Sequence, residues 1–164
     1  MATGEAVLTR QIDSPDAVLI GSGIMSATLG AMLKVLEPAL RLQMFEVTTE
    51  PAQESSHGWN NAGTGHAGLC ELSYTPNRSA DGAVDVSKAI TIFEQFEASR
   101  QFWAFAAEHG MVPEPEMFIR AVPHLSFVEG AETVDFLRAR HEALTKHPFF
   151  DGMRFTDDPE IIQS

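Results

Sequence analysis

The chain is predicted to belong to the α/β class, built on a parallel βαβ unit, and three observations carry that prediction. Ala17 to Ile20 form a short continuous apolar run of the kind a buried parallel strand shows. Gly21 and Gly23 follow at once, where a chain leaving a strand must turn sharply into a helix. Arg41 to Phe45 reads as a second strand, with Glu46 at its C-terminal end. Strand, glycine turn, helix, strand and acid, in that order, suit a dinucleotide.

Each part has a physical job. Met1 to Pro15 is polar, ends in Asp13-Ser14-Pro15 and reads as a flexible lead-in (1–15). The strand Ala17 to Ile20, apolar throughout, reads as buried on both faces. Gly21 permits the tight turn, and Gly23, without a Cβ, lets a pyrophosphate approach the backbone. Ile24 to Leu36 carries apolar residues at Ile24, Ala27, Leu29, Met32, Leu33 and Leu36, close to helical spacing, until Glu37-Pro38 stops it. The N-terminus of that helix offers unpaired N–H groups and partial positive charge to phosphates. Ser26 stands where the usual fingerprint has its third glycine, a position that governs helix–strand packing; Gly30, one turn later, relieves the same contact. Glu46 lies roughly 20 residues past the turn, where a carboxylate accepts hydrogen bonds from an adenosine ribose. The motif does not separate FAD from NAD.

The stretch from Glu50 to Pro76 follows, punctuated by Gly58, Gly63, Gly65 and Gly68 with Ser, Asn, Thr and His between them. Such a composition buries little apolar area, and disorder is the plain reading. Yet Trp59, Leu69, Leu72 and Tyr74 are expensive residues to leave in a loose loop. A backbone-rich loop lying against a ligand explains both halves. Asn60, Asn61 and Thr64 both donate and accept, which suits hydrogen bonds to such a ligand. His66 beside Gly65 could reach that ligand or a substrate, set against a loop histidine held by a backbone carbonyl. His124 after Pro123 is ambiguous in the same way, and Cys70 reads as a small buried hydrophobe.

Further along, Asp85 and Ser87 offer cap oxygens for a helix from Lys88 to His109, closed by Gly110, with Ile90, Phe93, Phe96, Trp103 and Ala107 on its apolar stripe. Phe118 to Val122 and Leu125 to Val128 are strand candidates around Pro123-His124. Ala131 to Lys146 reads as a helix with Val134, Leu137 and Leu144 inward, and Met153 to Phe155 as a further strand. Asp158-Pro159-Glu160 then reads as a cap, an N1 proline and the opening of a helix.

Composition narrows the function. With 44% hydrophobic and 21% charged residues, 164 residues suffice for a real core. A formal net charge of −12 makes nucleic acid an unsuitable partner, and disfavours an anionic membrane surface for this part of the chain. The single cysteine suits a reducing cytoplasm. No His/Cys cluster has zinc spacing, so no metal is expected.

At Gly58-Trp59-Asn60-Asn61-Ala62-Gly63-Thr64-Gly65-His66 the sequence resembles the FAD-dependent malate:quinone oxidoreductases. The segment Gly21 to Gly30, with its serine at the third glycine position, is similar to the same family. So are Gln53-Glu54-Ser55-Ser56, Leu69-Cys70-Glu71-Leu72 with Tyr74-Thr75-Pro76, Glu94-Gln95-Phe96 with Ser99-Arg100-Gln101-Phe102-Trp103, and Val122-Pro123-His124. The resemblance runs from about Ala17 to the end. It implies a Rossmann-like FAD-binding fold. Residues 16–82 would be the FAD-binding βαβ unit and Gly/Asn-rich flavin loop, and 83–164 helical and strand segments of the same flavoprotein, truncated at the C-terminus, with the start of a mixed α+β substrate domain left incomplete. Family members are much longer, so the chain is expected to be an N-terminal fragment, inactive alone. The resemblance also implies FAD as cofactor, held by Gly21, Gly23, Ser26, Glu46, Asn60, Asn61, Gly63, Thr64 and Gly65. It implies oxidation of (S)-malate to oxaloacetate in the tricarboxylic acid cycle, with electrons passed to a membrane quinone. The full-length protein would lie in the cytoplasm, peripheral on the inner membrane and contacting it through the rest of the chain.

Other classes share parts of this pattern. Another FAD-dependent 2-hydroxy acid or amine oxidoreductase, a nicotinamide-dependent dehydrogenase and a non-catalytic nucleotide-binding module would each carry a βαβ unit. The nicotinamide enzyme would not need the Gly/Asn-rich loop.

Overall fold

A computed structural model describes residues 12–65, 67, 69 and 71–162, and the chain divides into two compact units, 1–64 and 65–164. His66 and Cys70, and most of the lead-in, lie outside the described residues.

The first unit is the βαβ unit and the loop after it. Strand β1 (Ala17–Ile20), helix α1 (Ile24–Leu36) and strand β2 (Leu42–Phe45) follow one another, and the two strands pair in parallel, Ala17 opposite Leu42 through Ile20 opposite Phe45. The start of the sheet is clamped by a fork. Arg41 places Nη2 2.8 Å from Asp16 Oδ1 and Nε 3.1 Å from Oδ2, while the Asp16 N–H donates to the Arg41 carbonyl. This guanidinium holds the Asp16 carboxyl well below the usual range, at about 2. Helix α1 ends where Glu37-Pro38 was expected to end it, and Lys34 Nζ donates to the carbonyls of Pro38 and Leu40 beyond its C-terminus.

Gly30 is buried at the crossing of α1 and β1, where an added Cβ would come 3.1 Å from Leu19 Cδ1. The helix therefore lies on the strand at a separation where a Cβ would need Leu19 to shift by a few tenths of an ångström. Burial of β1 is one-sided rather than two-sided. Leu19 faces α1 and is buried, whereas Val18 and Ile20 are exposed. Successive side chains of a strand point to opposite faces, and α1 covers one face only.

The second unit is mainly helical. Helix α2 (Ser87–Glu108) and helix α3 (Ala131–Leu144) surround a core of Ala89, Leu144 and Phe150. Phe93 of α2 stacks on Phe149 at 4.3 Å and meets Phe150 edge-on at 5.6 Å. Asp85 Oδ1 accepts the Ser87 N–H at the start of α2, as its position predicts, but Ser87 is itself the first helical residue. Leu144 is buried, with Val134 and Leu137 half-buried on the same helix. Short 3-10 turns occupy Leu72–Tyr74, Pro115–Met117 and Pro148–Phe150, and Asp158 Oδ1 caps helix α4 (Pro159–Ile162) by accepting the Glu160 N–H.

The strands expected in this unit are corrected. Residues 119–129 and 153–158 form neither helix nor strand. A strand needs a partner for its backbone groups, and Pro123 removes one donor from the longer stretch. Val122, Leu125 and Phe127 are correspondingly exposed.

One buried cation was not foreseen. Arg140 of α3 is 1% exposed, and its guanidinium reaches back 65 to 71 positions. Its Nε donates to Thr75 Oγ1 at 2.6 Å, and its Nη2 to the carbonyls of Leu69 at 3.0 Å and Glu71 at 3.2 Å. The segment that follows the Gly/Asn-rich loop is thus fastened to α3 by one side chain.

Candidate functional site: the glycine turn and the end of the second strand

Strand β1 ends at Ile20, and Gly21 turns the chain with φ +83°, a left-handed conformation that side chains with a Cβ disfavour. Its N–H donates to the Phe45 carbonyl at 2.7 Å, which keeps the turn in register with β2. Gly23 then stands at the N-cap of α1, where it has no side chain to cap the helix. The first turn of α1 holds no acidic residue of its own.

Glu46, just past β2, closes onto this turn. Its Oε2 accepts both the Ser22 N–H at 2.8 Å and the Ser22 hydroxyl at 2.6 Å. Its Oε1 accepts the N–H groups of Val47 at 2.7 Å and Thr48 at 3.0 Å. These bonds favour the ionised form and hold the Glu46 carboxyl at about 2, with the Ser22 hydroxyl the largest cause and the Thr48 N–H next. The acid that spacing predicted is therefore beside the glycine turn. Ser22, between the two glycines, is the partner that spacing did not reveal.

The loop after β2 is ordered by its own side chains. Asn60 Nδ2 donates to the carbonyls of Gln53 and Glu54, at 3.2 and 2.9 Å, and Asn61 Nδ2 to those of Ser55 and His57, both at 2.9 Å. Asn61 Oδ1 accepts the Gly63 N–H at 2.7 Å. Both asparagines thus brace the loop's own backbone. The loop in turn delivers Ser56 to α1, where Ser56 Oγ accepts the Ile24 N–H at 2.9 Å. Trp59 projects from it with 93% of its surface exposed.

The remaining expected residues fall differently. Ser26 Oγ lies 3.4 Å from the Ile20 carbonyl, so it bonds back to the end of β1, while the close packing expected at its position is carried by Gly30. Thr64 is exposed at the end of the first unit. Gly65 opens the second unit, where an added Cβ would come 2.7 Å from Phe96 Cε2 of α2. Gly21, Gly23 and Glu46 therefore form one cluster with Ser22 and Ser56.

Chemically, the cluster combines two glycines and a helix N-terminus with an ionised carboxylate alongside. An anionic phosphate suits the first part and a hydroxyl-bearing group the second. No group of three or more His, Cys, Asp or Glu residues fit to hold a metal occurs among the described residues. No helix among them is long and apolar enough to cross a membrane.

The description of the malate:quinone oxidoreductase family matches residues 13–164. A Geobacillus sp. (strain WCH70) protein named probable malate:quinone oxidoreductase is 54% identical over 156 residues, covering 95% of this chain and 30% of its own length. Proteins of the same name from Gluconobacter oxydans and Corynebacterium efficiens are 54% and 55% identical, over 90% and 92% of this chain. The chain spans 29% and 23% of those two relatives. The matched span, from the residues before β1 to the end of the chain, places the chain in the malate:quinone oxidoreductase family.

Proposed function

We propose that the protein to which this chain belongs oxidises (S)-malate to oxaloacetate and passes the electrons to a quinone, with FAD held at the glycine turn. The observation that carries the reading is the closure of Glu46 on Ser22, at 2.6 and 2.8 Å, directly between Gly21 and Gly23 in a chain of this family. FAD, when bound, supplies the acceptor for the hydride that leaves malate C2 while the hydroxyl proton goes to a base. Two electrons and two protons leave malate in all, and the quinone takes up the same number to become quinol.

The residues of this chain hold and orient. Gly21 and Gly23 bring the backbone to the pyrophosphate without a Cβ in the way, and α1 contributes its N-terminal partial charge. Glu46 would receive the ribose hydroxyls of the adenosine in place of the bond now made by the Ser22 hydroxyl. Asn60 and Asn61 keep the following loop in shape, so that Gly63 and Thr64 would be presented to the flavin. Quinones dissolve in the bilayer, so the protein works at a membrane surface, which we take to be the cytoplasmic face of the inner membrane. The conversion of malate to oxaloacetate is a step of the tricarboxylic acid cycle.

To test this, the full-length protein is purified, denatured, and the released nucleotide identified by absorbance and mass. FAD is expected, together with malate-dependent reduction of a soluble quinone by the native protein. Recovery of a nicotinamide dinucleotide without flavin would overturn the reading.

A further inference from the structure

We propose that a cavity in the second unit, beside the start of α2, binds a small organic acid through its carboxylate. The proposal concerns that unit alone and does not rest on the nucleotide reading.

The cavity measures about 510 Å³, inside the range of roughly 300–1,000 Å³ that small-molecule sites occupy. Tyr74, Pro76 and Val84 give it apolar walls. One side is a braced turn. Arg78 and Val84 meet in an antiparallel bridge, and the Ser79 N–H donates to the Ala83 carbonyl at 2.9 Å. Arg78 then ties the turn to α3, with Nη1 2.6 Å from Asp135 Oδ2.

Three donor groups in the lining have no acceptor among the described residues. The Lys88 ammonium makes neither hydrogen bond nor ion pair there and lies over the Tyr74 ring, 5.1 Å from its centroid. The Asn77 amide is likewise unbonded. Arg78 spends Nε on the Gly82 carbonyl and Nη1 on Asp135, which leaves Nη2. Against these stands one carboxylate of the lining, Asp85, whose Oδ1 already accepts the Ser87 N–H at 2.9 Å. The chain's net charge of −12 repels an anion, but salt screens that field beyond about 8 Å. The groups at the cavity therefore decide the sign of its ligand.

Lys88 also stands where a helix disfavours it. It is the second residue of α2, whose first turn holds no acid, and the positive end of a helix dipole repels a cation. Local preference does not put an ammonium there. A carboxylate in the cavity would offset that repulsion and accept from Lys88, with charge-assisted bonds.

The test uses the full-length protein beside Lys88→Ala, Lys88→Arg and Val84→Trp, each checked for folding by circular dichroism. Equilibrium dialysis with labelled succinate gives the affinity and number of bound acids, and succinamide serves as the uncharged comparator. Loss of one hydrogen bond to a charged group weakens binding about tenfold. Lys88→Ala is expected to lose that factor for succinate, and Lys88→Arg to retain most of the affinity. Val84→Trp, which fills the cavity without changing its charge, is expected to abolish the binding, and succinamide not to bind. A parent that binds no succinate overturns the proposal. So do affinities within about twofold of the parent in Lys88→Ala and Val84→Trp. Should Lys88→Ala fail to fold, Val84→Trp decides alone. Malate kinetics identify the source of the acid. A KM for malate that rises with the succinate constant, at constant kcat, makes the acid the substrate. Loss of succinate with KM kept makes it a separate effector. If the parent does not oxidise malate, the proposed function falls while dialysis still decides the cavity.

Discussion

At Glu46 one carboxylate accepts four hydrogen bonds, two from Ser22 and one each from Val47 and Thr48. The folded value of about 2 lies below the ordinary 4.5, so the stabilisation is complete above the ordinary value and is lost as pH falls towards about 2. Glu46→Gln puts an amide N–H where one oxygen now accepts, so donors on that side face a donor. The variant is expected to be less stable at neutral pH and to lose part of its acid dependence between 4.5 and 2, measured by denaturant midpoints across that range. Some dependence remains, because Asp16 is held at about 2 by Arg41 in the same unit. Nucleotide affinity of the full-length variant is expected to fall about tenfold. Unchanged affinity, by equilibrium titration, would remove Glu46 from the site.

Among the elements, the tie between α3 and the segment after the loop rests on Arg140. Arg140→Met keeps much of the side chain's length but strips the donors from Thr75 Oγ1 and from the Leu69 and Glu71 carbonyls. A buried acceptor left unsatisfied costs about 1–3 kcal/mol, so the loss is expected to be roughly 3 kcal/mol for the three together. Arg140→Lys restores the charge without the planar fork and should fall between the two. Denaturant unfolding of the full-length variants checks the order. Equal stability of Arg140→Met and the parent would show that this cation does not hold the segment.

For the molecule as a whole, the first unit leaves Val18, Ile20, Met25, Leu36 and Val47 exposed, on both the strand and the helix. Apolar surface exposed to this extent suits packing against other protein, and the relatives extend well beyond the matched span. The chain also carries 23 acidic side chains against 11 lysines and arginines, a poor balance for holding a dicarboxylate. Residues 1–164 expressed alone are therefore expected to bind a hydrophobic dye, to retain little FAD and not to oxidise malate. Flavin content and malate-dependent dye reduction measure this. A soluble yellow fragment that turns over malate would overturn the expectation.

The amino-acid order by itself determined the βαβ unit, the stop of α1 before Pro38, and α2 and α3 to within two residues of their ends. These features are local. A helix closes its hydrogen bonds four residues apart, and glycine, proline and cap residues act on their immediate neighbours. It also placed Glu46 beside the turn, because the length of one helix and one strand sets that distance. The tertiary structure alone decided what Glu46 bonds to, that Ser56 meets Ile24, that Asn60 and Asn61 brace their own loop, and that Arg140 is buried and bonded to Leu69, Glu71 and Thr75. It also decided that residues 119–129 pair with nothing as strands, although their apolar pattern resembles one. A strand and a long-range side-chain bond both depend on a partner far along the chain, and neither leaves a periodic trace in the residues around it.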